Sequence, residues 1–216
     1  EQPTGTAAIL VDDDAENCII VVAGANACLT PEHAQAARLV IENSNVLLSQ
    51  LETPATTTLE AFQLARATEV LTILTPAPAE NVTPELLELS DICVPNKTEI
   101  ATIVGQPVNS EQDVIHAAEL LRDRGVTRVV LTMGGDGVLL VDESGLSHIP
   151  ATKVEAVDTT GAGDAFTGAL AVGLAEGLTL EEAARRAGVV AALSVTRTGT
   201  QPSFPTLKEV NRWIAT

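Results

Sequence analysis

Short β-prone apolar runs alternate along this chain with longer segments whose apolar residues recur at helical spacing. The first two runs, 6–11 and 18–22, flank the cluster Asp12-Asp13-Asp14-Ala15-Glu16-Asn17 and predict a hairpin with an acidic, solvent-exposed turn. Thr30-Pro31-Glu32 reads as a helix start, with Thr30 as N-cap and Pro31 at the first helical position. Ala34, Ala37, Leu39, Val40 and Ile41 supply the apolar positions that follow. Strands are expected at 46–49, 70–74 and 92–94, with helices at 56–68 and 97–104. Ser110 precedes a helix over 111–122 that Gly125 would cap, and a strand over 126–132 comes next. The segments 138–141 and 146–149 are β-prone around the turn Glu143-Ser144-Gly145, and three amphipathic helices, 165–175, 180–193 and 207–214, close the chain. This order predicts a single α/β domain over 1–216 with a largely parallel sheet, the antiparallel hairpins being edge features.

Charge narrows the partners. Twelve Lys and Arg stand against 29 Asp and Glu, a net charge of −17. A duplex nucleic acid or an anionic membrane surface would be repelled. High charge with few aromatics can signal disorder, but 45% hydrophobic residues supply enough aliphatic surface for a core. No apolar stretch approaches 18 residues, and Glu1 to Thr6 shows no basic region followed by an apolar run, so a cytoplasmic protein is expected. Cys18, Cys28 and Cys93 contain no C-x-x-C pair, and His33, His116 and His148 lie far apart in sequence. Incidental thiols and surface imidazoles are expected rather than a zinc site.

The chemistry concentrates in Asp158-Thr159-Thr160-Gly161-Ala162-Gly163-Asp164-Ala165-Phe166, just before a helix. Glycines at a helix N-terminus leave backbone N–H groups without intrahelical partners, and these donors with the helix dipole form an anion site. Asp164, in the first turn, would lie beside a bound phosphate, where a carboxylate can take the proton of an attacking hydroxyl. Anion cradle plus adjacent base describes phosphoryl transfer. The plainer alternative is a turn followed by an ordinary N-terminal helix acid. A dinucleotide fingerprint is not met, since Phe166 stands where the third glycine belongs, and no G-x-x-x-x-G-K-[ST] loop occurs.

The run Asp158 to Gly168 resembles in full the C-terminal signature of the ribokinase-like (PfkB) carbohydrate kinases. Further segments are similar in the same order over essentially the whole chain: Gly24-Ala25-Asn26-Ala27, Gln50-Leu51-Glu52-Thr53-Pro54, Pro76-Ala77-Pro78-Ala79, Pro95-Asn96-Lys97-Thr98-Glu99 and Thr196-Arg197-Thr198-Gly199-Thr200-Gln201-Pro202-Ser203. The similarity is greatest to the ribose-phosphorylating members. It implies a three-layer α/β/α fold with a partial β-hairpin lid over 6–22, and phosphorylation of D-ribose to ribose 5-phosphate by ATP.

The resemblance also implies roles. Asp164 would be the base on the 5-hydroxyl and a sugar contact, and the backbone of Gly161, Ala162 and Gly163 would stabilise the transferring phosphoryl group. Glu52 would bind sugar hydroxyls. Asn96 and Glu99 would organise Mg²⁺ and the triphosphate, mostly through water; read without the family, they are a helix-capping Asn and a surface Glu. Thr132-Met133-Gly134-Gly135-Asp136-Gly137 would form the nucleotide loop, although as a lone feature it is a turn between strands. Gly163, Asp164 and Gly188 would also meet the nucleotide. A monovalent cation, usually K⁺, would sit at Asp158, Thr160, Ser194, Arg197, Gly199 and Ser203, beside the anion loop.

Departures from the family pattern qualify these expectations. Members begin with a further segment that carries the first strand, most of the lid and a Gly-Gly-Lys-Gly-type sugar grip, whereas Thr4-Gly5-Thr6 enters the pattern midway. Its absence would leave an open sheet edge and exposed apolar surface. Thr75 replaces a common Asn, and Gly188 a side chain of the nucleotide pocket. The alternatives are therefore another sugar or nucleoside kinase of the family, or a noncatalytic fragment that binds nucleotide. A homodimer through the lid is a further implication of the resemblance.

Overall fold

The computed structural model describes residues 2–11 and 17–214. Strands β1 (Thr6–Val11) and β2 (Asn17–Val22) pair antiparallel as a separate two-stranded sheet. The acidic turn expected between them lies, but for Asn17, outside the described residues. Next come α1 (Pro31–Ala36), α2 (Arg38–Glu42), β3 (Val46–Ser49), α3 (Ala55–Arg66), β4 (Leu71–Leu74), α4 (Pro84–Glu88), β5 (Ile92–Cys93) and α5 (Lys97–Val104). The chain continues through α6 (Glu111–Asp123), β6 (Arg128–Thr132), β7 (Val138–Asp142), β8 (Gly145–Ile149), α7 (Ala162–Ala175), α8 (Leu180–Ser194) and α9 (Leu207–Ile214).

The main sheet runs β3-β4-β5-β6-β7-β8, parallel from β3 to β6 and antiparallel across β6-β7-β8. Its central strands are apolar at nearly every position because both faces are covered. Leu74, Cys93, Val129, Leu131, Leu139 and Val141 turn toward a core completed by Phe62, Leu86, Ile100 and Leu121, from α3, α4, α5 and α6. Their neighbours Ile73, Ile92, Val130, Val138 and Leu140 point the opposite way, against Phe166, Leu170, Ala183 and Ala187 of α7 and α8. The result is the expected three-layer α/β/α arrangement.

Local departures have physical causes. The helix expected to continue from Thr30 breaks at Ala37 (φ −88°, ψ 2°), whose amide is shared between the carbonyls of His33 and Ala34. Of its anticipated apolar face, Ala34 and Ile41 are buried, while Ala37 is exposed and Leu39 and Val40 are 75% and 73% exposed. Leu48 of the edge strand β3 is also exposed. Helix α4 was not expected from the pattern, yet it opens with the same signals as α1: Thr83 accepts the Leu86 amide and Pro84 holds the first helical position. Helix α7 begins at Ala162, one turn earlier than periodicity indicated, and α6 ends before Gly125, whose φ is +103°.

The cap of helix α6 makes its stability depend on pH. Ser110 Oγ accepts the Asp113 amide, and Asp113 Oδ2 accepts the amides of Ser110 and Asn109. Hydrogen bonds from the Ser110 side chain, then from the Ser110 and Asn109 backbone, hold the Asp113 carboxyl below its ordinary 3.8. A depressed carboxyl pKa stabilises the fold above the unfolded value, and that contribution fades as pH falls below it. Asp113→Asn is therefore expected to lower the urea midpoint near neutrality and to converge on the parent as pH drops below 3.8. An offset that stays constant down to about pH 2.5 would contradict this.

Candidate active site

The sheet topology places several of the candidate segments at one rim. The segment carrying Glu52 follows β3, Asn96 follows β5, and the loop 133–137 follows β6, all at the carboxyl ends of mutually parallel strands. Ligands of open α/β sheets bind outside such ends. Ile149 pairs with Val138, next to Thr132, so the segment that leads to Gly161 leaves from this rim as well.

Glu52 is exposed on a pinned loop. Leu51 beside it is buried, donates its amide to the Ala77 carbonyl at 2.9 Å and accepts Asn81 Nδ2 at 3.1 Å. The Glu52 amide donates to Gln50 Oε1 at 2.9 Å. Anchoring one residue in the core fixes the next toward solvent.

Asn96 and Glu99 form a capping box at the start of α5. Asn96 Oδ1 accepts the Glu99 amide at 2.8 Å, while the Glu99 carboxylate accepts the Asn96 amide and Nδ2, both at 2.8 Å. Glu99 is half-buried rather than a surface residue, and burial pushes its pKa up, partly offset by the Asn96 backbone amide. A parallel bridge between Asn96 and Thr132 joins this corner to β6, with the Thr132 amide donating to the Pro95 carbonyl at 2.9 Å.

Beyond β6, the Met133 amide donates to the Gly137 carbonyl at 2.8 Å and closes a tight loop. Gly137 adopts φ +92°, and a Cβ there would meet the Ile149 carbonyl oxygen at 2.1 Å. Gly134 and Gly135 face open space, so a ligand can approach their backbone. Gly188, within α8, is likewise unobstructed.

Gly161 opens α7 in the left-handed conformation (φ +78°) and brings no side chain to the first-turn amides. The Ala162 amide closes a turn onto the Thr159 carbonyl at 3.2 Å, and Gly163 faces open space. Asp164 is exposed in the first turn, as its position in the motif indicated. This loop is stitched to 195–204. The Val157 amide donates to the Val195 carbonyl, and Asp158 accepts the Gly199 amide at 2.8 Å and the Thr160 amide at 2.9 Å. The Gly199 amide first, then Thr160, holds the Asp158 carboxyl below its ordinary value.

Ser194 and Ser203 are buried, their hydroxyls donating to the Ala191 and Thr200 carbonyls. Arg197 pairs with Glu209, which the Thr206 amide, then Arg197, pulls down to about 2. Of the residues expected around a monovalent cation, Asp158, Thr160 and Gly199 are joined by hydrogen bonds, whereas Ser194, the last residue of α8, Arg197 and Ser203 bond within 191–209. Of the cysteines and histidines, Cys93 is buried in the core, which pushes its thiol pKa up, whereas Cys28, His33, His116 and His148 are exposed.

The family model for pfkB family carbohydrate kinase matches residues 1–207. The chain belongs to this family. Among pfkB relatives, a ribokinase of Mus musculus is 41% identical over 212 residues, covering 96% of this chain and 66% of that protein. The solved ribokinase of Thermotoga maritima overlays all of this chain on 71% of its own, at 39% identity and a TM-score of 0.90. Arabidopsis thaliana ribokinase, solved with ribose and ATP, overlays all of it on 70%, at 29% identity and a TM-score of 0.88. This pfkB chain therefore spans about two thirds of the length of these relatives. Motif reasoning missed Lys97 and His148, both of which touch the 134–136 loop. Neither carries a local signal, since each contact joins distant parts of the sequence.

Proposed function

We propose that this chain carries the nucleotide-binding and phosphoryl-transfer elements of an ATP-dependent kinase that converts D-ribose to ribose 5-phosphate. The observation that carries the reading is Gly161 opening α7 as a left-handed cap that makes no side-chain hydrogen bond to the first-turn amides, with Asp164 in that same turn. Similarity to the Arabidopsis thaliana protein, solved with ribose and ATP, supports the choice of substrates.

In this reading the Asp164 carboxylate accepts the proton of the ribose 5-hydroxyl as its oxygen attacks the γ-phosphorus. The bond to the bridging oxygen breaks and ADP leaves with that electron pair. Backbone amides of the 161–163 loop hold the charge on the transferring group, and Glu52 orients the sugar hydroxyls. The loop 132–137, with Asn96, Gly163, Asp164 and Gly188, receives the nucleotide.

Asn96 and Glu99 bond to each other and keep further lone pairs for water, which fits a Mg²⁺ held mainly by phosphate oxygens and water. That ion would neutralise charge on the triphosphate. Asp158 and Thr160 lie on a loop that the Gly199 amide joins to the segment carrying Ser194, Arg197 and Ser203, and the carboxylate, hydroxyl and carbonyl oxygens of these residues are of the chemical type that suits K⁺. Its positive charge would strengthen the neighbouring anion loop.

Residues 1–216 are read as one kinase domain whose hairpin 6–22 is part of a lid. Ile20, Val21 and Val22 of β2 are all more than half exposed, alternating across both faces of the ribbon. A second copy of the hairpin would cover that surface, hence the proposed homodimer. Among the described residues no helix is long and apolar enough to cross a membrane. The reading carries a cytoplasmic location with it, ATP being the phosphoryl donor.

ADP release with ATP, Mg²⁺ and K⁺ tests the substrate across ribose, fructose, 2-deoxyribose and adenosine. Ribose is expected to give the highest kcat/KM, and a preference for adenosine or fructose would overturn the assignment. Exposed Leu39, Val40 and Leu48 favour one second reading, a nucleotide-binding piece whose sugar site another segment completes. It requires ADP binding without turnover on any of the four.

A further inference from the structure

We infer that Lys97 and Asp136 form a positioning pair that holds the 134–136 loop against the start of α5 and thereby sets nucleotide affinity. The inference rests on the kinase reading above. It assigns a role to Lys97, which lies within the Asn96-x-x-Glu99 motif without belonging to it.

The geometry is specific. Lys97 Nζ lies 2.8 Å from Asp136 Oδ2, across 39 residues of sequence. Below the pair, the backbone of the two corners is already joined by the Asn96–Thr132 bridge and the Pro95 carbonyl. On the far side of the loop, His148 Nε2 meets the Asp136 carbonyl oxygen at 2.7 Å, which ties it to β8. Asp136 is thus held by its side chain from α5 and by its main chain from β8. Gly134 and Gly135, just before the anchored Asp136, have open space where side chains would be. The turn is closed on itself by the Asp136 amide on the Met133 carbonyl and the Gly137 amide on the Gly134 carbonyl, both at 3.1 Å, but two glycines leave it free to open, so without a further tether it would lose entropy on binding. A tether from Lys97 reduces that loss in advance, and it joins the two elements proposed to meet the triphosphate and the nucleotide.

Both side chains are well exposed, so attraction alone is weak, but reversing one charge also sets two like charges face to face. Neither change threatens the fold. A carboxylate at position 97 sits in the first turn of α5, where the helix dipole favours it, and position 136 is at the surface.

The test is calorimetric titration of Mg·ADP into the parent, K97E, D136K and the K97E/D136K swap, with thermal melts alongside. Each single reversal is expected to weaken binding about three- to tenfold, and the swap to recover to within about twofold of the parent. High salt should shrink the differences between the variants, because the pair is solvent-exposed. A merely structural role would move the melts and leave affinity in place, which overturns the inference. Single effects that add in the swap would overturn it too, showing that Lys97 acts on the phosphates by itself. A parent that binds no Mg·ADP would instead bring down the kinase reading, and this inference with it.

Discussion

Asp164→Asn is expected to lower kcat for ribose phosphorylation by about 10²- to 10⁴-fold, the range attributable to a general base. The substitution is close to isosteric, and an Asn in the first turn of α7 leaves the glycine cap at Gly161 intact. What disappears is the group that takes the hydroxyl proton. Binding of Mg·ADP should persist within about threefold, because Asn keeps the shape of Asp164 at the nucleotide and the rest of that site, the 132–137 loop and the Asn96–Glu99 box, is built without it. Steady-state rates with a parallel nucleotide titration check both halves. A variant whose kcat stays within about tenfold of the parent would remove Asp164 from the role of base.

Gly137→Ala carries the largest expected effect on the fold, for a reason separable from glycine's general freedom. The residue has φ +92° and ψ −138°, and an added Cβ would stand 2.1 Å from the Ile149 carbonyl oxygen and 2.7 Å from the Ala151 amide nitrogen. Both obstacles are backbone, so neither can swing aside. The loop must leave β8 or the β6–β7 hairpin must open, at about 3 to 5 kcal/mol. Gly134→Ala is the control. Gly134 also has a positive φ, +58°, but nothing lies within 4 Å of its Cβ position. Its replacement should cost about 1 kcal/mol, from left-handed strain alone. Urea midpoints compare the two, and equal losses would show that strain rather than steric contact governs this loop.

Much of this architecture was legible in the chain because the physics that shapes it is local. Strands β4 to β7 show as apolar runs since both of their faces are covered, helix α6 announces itself through Ser110 and 3.6-residue spacing, and α8 through its spacing. The break at Ala37 was not legible: 34–41 has the apolar content of one helix, and only the packed structure shows that Leu39 and Val40 lack a partner within the described residues. Helix α4 was legible in principle, its Thr83-Pro84-Glu85 repeating the signal at Thr30-Pro31-Glu32, but five residues are too few to show periodicity.

The candidate site divides along the same line. Gly161 to Asp164 could be read directly, since helix start, glycines and carboxylate are contiguous. The contacts that organise it could not, because Asp158 and Gly199 are 41 residues apart and Lys97 and Asp136 are 39 apart. Glu99 illustrates the intermediate case. Its capping partnership with Asn96 follows from a three-residue spacing, whereas the burial that raises its pKa depends on how α5 packs.

The most direct test of the central claim is phosphorus NMR of the reaction of the purified chain with ATP, Mg²⁺, K⁺ and D-ribose. The account predicts a sugar-phosphate resonance coupled to the C5 protons, growing in step with ADP and absent with Asp164→Asn. ADP accompanied by inorganic phosphate alone, a 1-phosphate product, or no product from a chain that folds and binds Mg·ADP would contradict it.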